Sequence, residues 1–150
     1  MSAALRFDDV LLGLQGDDRL ASGAGDDILR GMGGNDSLNG GAGRDVLDGD
    51  EHDVFVFAAD GEHSDVINNF LSGVDKLHLT ASAFAGLTHG VSVTTQLRDS
   101  AIGADGDDFL VYDSTQGVLS YDASGTGGGL ETIAVLGTGV ALVASDIVVI

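Results

Sequence analysis

The chain has 150 residues, 24 of them glycine and none proline or cysteine, with 24 acidic against six basic side chains and a formal charge of −18. That balance excludes a generic binder of the nucleic-acid backbone, which needs Lys and Arg, and the missing cysteines exclude a disulfide framework. A hydrophobic fraction of 43% still supports a core, so one compact domain with structural glycines is expected rather than a disordered Gly-rich chain. So acidic a compact state repels itself unless something positive joins it. No apolar run reaches the length of a membrane span, and MSAALRFDDV has no apolar segment of the kind that marks a cleavable secretory signal.

Five consecutive nonamers follow: ALRFDDVLL (4–12), GLQGDDRLA (13–21), SGAGDDILR (22–30), GMGGNDSLN (31–39) and GGAGRDVLD (40–48). Position six is Asp9, Asp18, Asp27, Asp36 and Asp45. Position eight is Leu11, Leu20, Leu29, Leu38 and Leu47. Position four is Phe7, then Gly16, Gly25, Gly34 and Gly43. A helix does not fit. Nine residues rotate about 900°, which sends successive leucines to opposite faces. A turn of about six residues followed by a strand of about three fits better, with glycine supplying positive φ in the turn. One leucine per repeat cannot bury itself, but stacked repeats bury a row.

If two nonamers make one coil, Asp9 stacks on Asp27, Asp18 on Asp36, and Asp27 on Asp45. At the strand spacing of about 4.8 Å, two carboxylates repel by roughly 3–4 kcal/mol at an effective dielectric near 20. Such a ladder needs a cation between its rungs. The donors on offer are carboxylates and turn carbonyls, a set that suits Ca²⁺ better than Zn²⁺ or Mg²⁺.

These nonamers resemble the G-G-x-G-x-D-x-U-x repeat of RTX calcium-binding proteins. GGAGRDVLD matches throughout; the others lose a glycine at Met32, Ser22 and Leu14. The resemblance implies an all-β fold: a parallel β-roll, that is, a calcium-binding β-solenoid, followed by a β-rich C-terminal capping region. It also implies about three to five calcium ions between the turns of repeats n and n+2. Their ligands would come from Asp9, Asp18, Asp27, Asp36, Asp45 and Asp53, and from the turns that contain Gly16, Gly23, Gly25, Gly31, Gly33, Gly34, Gly40, Gly41 and Gly43.

Beyond residue 48 the pattern decays. GDEHDVFVF (49–57) keeps Asp53 and Phe55, HSDVINNF (63–70) keeps Asp65 and Ile67, and GVDKLHL (73–79) keeps Asp75 and Leu77. These read as further coils with longer turns and irregular metal sites or none. The expected organisation is a nonapeptide roll over 4–57, an irregular continuation over 58–79, and a cap carrying an export signal over 80–150. Within the cap, TASAFAGL (80–87) reads as a short helix and VSVTT (91–95) as a strand. DFLVYDSTQGVLSYD (108–122) reads as a hairpin turning at 114–117. ETIAVLG (131–137), VALVA (140–144) and DIVVI (146–150) read as three more strands. A solenoid needs such atypical ends to cover its last apolar row.

The stretch DVINNFLSGVDKLHLTAS resembles the segment after the roll in serralysin-type secreted proteins. Asp146 followed by Ile147, Val148, Val149 and Ile150 resembles the acidic-then-apolar tail of type I secretion substrates. No HExxH, G-x-S-x-G or Cys nucleophile occurs. Of the four histidines His52, His63, His78 and His89, the first two read as turn residues and His78 as outward-facing on a strand. DGDD (105–108) reads as a turn and DASGTGGG (122–129) as a loop. The expectation is a non-catalytic, secreted, extracellular module that folds on calcium after type I secretion. It would stabilise or template a covalently linked upstream passenger, with the secretion machinery as its other partner. The alternative is a carbohydrate- or surface-binding module of a polysaccharide-active enzyme, like the R-modules of alginate epimerases, or of an adhesin.

Overall fold

The structure, a computed structural model, describes residues 6–58, 64–99, 108–125 and 129–150. The repeats form strands β1 (Val10–Gln15), β2 (Arg19–Ala24), β3 (Ile28–Gly33), β4 (Ser37–Ala42) and β5 (Val46–Asp48). The later coils add β6 (Val54–Phe57), β7 (Asp65–Asn68) and β8 (Lys76–Leu79). Odd strands stack in parallel in one sheet and even strands in the other, so each pair of repeats is one coil of a β-solenoid with about four turns. The register steps by one coil at a time, as Val10 against Ile28 and Leu20 against Leu38 show.

Alternation within each strand turns position eight inward. One sheet stacks Leu11, Leu29, Leu47 and Ile67; the other stacks Leu20, Leu38, Phe55 and Leu77. From Leu29 and Leu38 onward these side chains are fully or almost fully buried. Each is worth roughly 2 kcal/mol of burial, which no single nonamer obtains alone.

The strands β1–β4 are six residues long, not the three expected. The glycine-bearing half of each turn is itself paired in register with the coil above, as Leu14 with Met32 and Gly23 with Gly41. Only a three-residue bend separates these strands. Position two sits in the left-handed region, at φ +113° for Gly23 and +93° for Gly41. Leu14 and Met32 hold the same backbone at +83° and +74°, a conformation that costs a residue with a Cβ about 1–2 kcal/mol. Where the glycines are lost, β5–β8 shorten to three or four residues.

The C-terminal part closes both sheets differently. The five-stranded sheet, ordered β13-β8-β6-β4-β2, ends on β13 (Ile147–Val149). The eight-stranded sheet continues from β7 through β12 (Glu131–Val135), β11 (Val118–Tyr121), β10 (Leu110–Asp113) and β9 (Leu97–Asp99). The hairpin β10–β11 is as expected, antiparallel with Asp113 opposite Val118.

Three expectations are corrected. Residues 80–87 form turns, not a helix, because their amides are drawn to the sheet: Thr80 N–H donates to Phe57 and Ala81 N–H to Ile150. VSVTT is not a strand; Gln96 and Leu97 amides both donate to the Val93 carbonyl, turning the chain into β9. VALVA runs as a connector into a 3-10 turn at Ala144–Asp146, with Tyr112 donating to the Val140 carbonyl. No α-helix occurs among the described residues.

Candidate metal centre

Parallel stacking brings the position-six aspartates into two ladders. Asp9 N–H donates to Asp27 Oδ1 at 2.7 Å, Asp27 N–H to Asp45 Oδ1 at 2.8 Å, and Asp45 N–H to Asp65 Oδ1 at 2.9 Å. On the other side Asp18 N–H donates to Asp36 Oδ1 at 2.8 Å, Asp36 N–H to Asp53 Oδ1 at 2.9 Å, and Asp53 N–H to Asp75 Oδ1 at 3.0 Å. One carboxylate oxygen per rung thus fixes the register of the coil before it.

The second oxygen behaves differently. Oδ2 of Asp27, Asp36 and Asp45 is buried with no hydrogen-bond partner. Buried carboxylate oxygens are almost always paired, so three in succession are suited to a cation held between the coils. Asp36 and Asp45 fold back over position one of their own turns. A Cβ at Gly31 would collide with Asp36 Oδ2, and one at Gly40 with Asp45 Oδ2. The Cβ that Gly13 lacks would stand 2.7 Å from the Gly31 carbonyl oxygen and 3.0 Å from Asp18 Oδ2. Oxygens from two coils therefore converge on one point.

The electrostatics follow the burial. Desolvation raises the Asp45 carboxyl to about 6, with the Asp27 and Asp26 carboxylates adding to the rise against the Asp27 N–H bond that lowers it. Desolvation also raises Asp36 and Asp75. A proton or a cation relieves the same strain. No group of three or more His, Asp or Glu side chains placed to hold a metal occurs among the described residues. Two carboxylates and backbone oxygens would have to complete each set, which is the chemistry of a Ca²⁺ site rather than a Zn²⁺ site.

The coils bring the expected glycines together as well. Gly34, Gly41 and Gly43 lie so close to the carbonyls of Gly16, Gly23 and Gly25 that a Cβ on any of them would clash. Gly33 offers its carbonyl to the Gly16 N–H at 2.7 Å. Two ladder members, Asp65 and Asp75, were outside the expected site set. Their signal is the Asp-x-apolar pattern before Ile67 and Leu77, which survives the loss of the glycines. His52 and His89 are exposed, and His78 faces outward, half-buried, between Val56 and Val148. His63, most of DGDD and residues 126–128 lie outside the described residues. Asp122 accepts from the Ser124 amide and hydroxyl in a local turn.

The RTX calcium-binding nonapeptide repeat model matches in four copies, over residues 4–38 and 22–53. No curated protein matches the chain significantly. Among solved structures, a subunit of the mannuronan C5-epimerase from Azotobacter vinelandii is similar, at 28% identity and a TM-score of 0.57, with 95% of this chain and 78% of that one covered. The nine-residue period, the coil register, the stacked aspartates and the matched repeats agree, and over residues 4–53 the chain carries RTX calcium-binding nonapeptide repeats.

Proposed function

We propose that the chain is a non-catalytic module whose roll closes on calcium, in a protein that is exported and works outside the cell. The carrying observation is the run of partnerless buried Oδ2 atoms on Asp27, Asp36 and Asp45. In this reading about three to five ions sit between the coils. Asp9, Asp18, Asp27, Asp36, Asp45 and Asp53 bind them together with carbonyls of the glycine-rich turns. Residues 4–57 are the calcium roll, 58–79 its irregular continuation, and 80–150 the cap.

The physical logic is linkage. Cytosolic calcium lies far below the roughly 10⁻⁴–10⁻³ M range of extracellular modules, so the rungs repel and the repeats stay threadable. Outside, each bound ion adds stability through its preference for the folded state. One coil supplies half of the next site, so binding is cooperative. The resemblance of Asp146–Ile150 to a type I export tail fits this order of events. In the folded chain Asp146 is fully buried, accepting from Ser72 and Gly73 and facing Lys76 at 3.4 Å. A tail so placed would be read before folding, and an upstream passenger would then fold against the closed roll. Circular dichroism tests the core of this: the β signal should grow severalfold between excess EDTA and millimolar calcium, and an equally β-rich spectrum in both would contradict it.

The similarity to a mannuronan C5-epimerase subunit supports a second reading, a binding module for an acidic polysaccharide. Such a polymer needs a basic groove. Arg19 lies on the outer face of one sheet, Arg30 on that of the other, and Arg44 in a turn. Sedimentation of the chain with mannuronan in calcium separates the two readings.

A further inference from the structure

We propose that Ser22 is an affinity-setting residue that weakens the calcium site between the turns of Asp27 and Asp45. The assignment rests on the calcium reading above and concerns one gap within it. In the neighbouring gap, between the turns of Asp18 and Asp36, position one is Gly13. The Gly31 carbonyl oxygen and Asp18 Oδ2 converge on the Cβ position that Gly13 leaves open. One repeat later that position is Ser22. Its side chain is buried, 2% exposed, and its hydroxyl donates to the Gly40 carbonyl at 2.8 Å. Gly40 occupies in its repeat the place that Gly31 occupies in the preceding one.

At position one the two gaps therefore differ in what meets the facing carbonyl. Both have buried aspartate oxygens that lack a partner: Asp36 Oδ2 in one, Asp27 Oδ2 and Asp45 Oδ2 in the other. In the second gap, however, the corresponding carbonyl already accepts a hydrogen bond from Ser22 and a Cβ stands at position one. A cation drawing on Gly40 competes with the Ser22 hydroxyl for that carbonyl oxygen, and the net worth of one such hydrogen bond corresponds to about fivefold to tenfold in affinity. Without metal the same hydroxyl ties the two coils together, so Ser22 also makes this gap the least calcium-dependent of the regular ones.

Calcium titration of the whole chain by isothermal calorimetry tests the assignment, with far-UV circular dichroism at saturating calcium confirming that each variant folds. Ser22→Gly should tighten the weakest class of sites by about fivefold to tenfold. Gly13→Ser, the reciprocal change, should loosen one site of the tighter class. Should Ser22→Gly fail to fold, the Gly13→Ser result alone decides. Binding by the parent chain with an isotherm unchanged or weakened in Ser22→Gly overturns the role of Ser22 and leaves the calcium reading standing. A parent chain that gives no calcium signal overturns both.

Discussion

The regular coils and the irregular coils solve the same electrostatic problem in two ways. Both stack aspartates whose Oδ1 accepts a backbone N–H from the preceding coil. In the regular coils Oδ2 of Asp27, Asp36 and Asp45 meets no donor. In the irregular ones Asp53 Oδ2 takes the Asp50 N–H and Asp75 Oδ2 the Leu71 N–H, both at 2.8 Å. Where the Gly-rich turn is lost, the chain bends an amide of its own onto the carboxylate. Dependence on metal should therefore be concentrated in the N-terminal coils and fade toward residue 79.

The sharpest way to break this contrast is to remove one rung from each region. Asp36→Ala strips a carboxylate from two gaps and should raise the calcium midpoint of folding by tenfold or more, on the basis that hydrogen bonds and contacts to a charged group are each worth about 1.5–3 kcal/mol. Asp75→Ala should lower thermal stability in EDTA and in calcium alike, with little change in the midpoint. Calcium titrations followed by circular dichroism compare the two variants directly.

Next in size is the apolar row that both regions share. Leu38→Ala opens a cavity between the sheets and should cost about 2–5 kcal/mol, read as a lower melting temperature in saturating calcium. Unlike the aspartate changes, it should leave the number of ions bound at saturation unaltered.

Acid offers a subtler probe. The Asp45 carboxyl is raised to about 6 in the folded chain against an ordinary 3.8. The unfolded chain therefore gives up its proton first. The metal-free roll has this contribution in full below about pH 3.8 and loses it as the pH rises through about 6. In EDTA, β structure should increase as the pH falls from 7 toward 4, while the calcium midpoint rises because protons compete for the same oxygens. A pH titration in the presence and absence of calcium checks both signs.

The smallest effect lies in the turns. Met32 holds a left-handed backbone that Gly41 occupies without strain, so Met32→Gly should stabilise the roll by about 1 kcal/mol, measured as a rise in melting temperature in calcium.

Much of this was legible in the sequence. The period of nine set the coil, its register and the stacking of Asp9 on Asp27 and of Asp18 on Asp36. Those relations depend only on spacing. What the period could not reveal lay where it ended. Asp65 and Asp75 continue the ladders, but insertions of varying length disguise them and the glycine signal is gone. The local patterns of 80–87 and 91–95 suit a helix and a strand, whereas amides there and just beyond are claimed by distant partners such as Ile150 or by a tight turn at Val93. VALVA is apolar like a strand, yet no strand among the described residues pairs with it. Ser22 looked like a lost glycine; only its contact with Gly40 gives it a role.

Residue-resolved amide hydrogen exchange tests the central claim most directly. In excess EDTA the amides of β1–β4 should exchange freely while those of β7, β8 and β10–β12 remain partly protected, and calcium should protect β1–β4 by orders of magnitude. Equal protection of β1–β4 with and without calcium would mean that the stacked aspartates stand without a cation, and the account would be wrong.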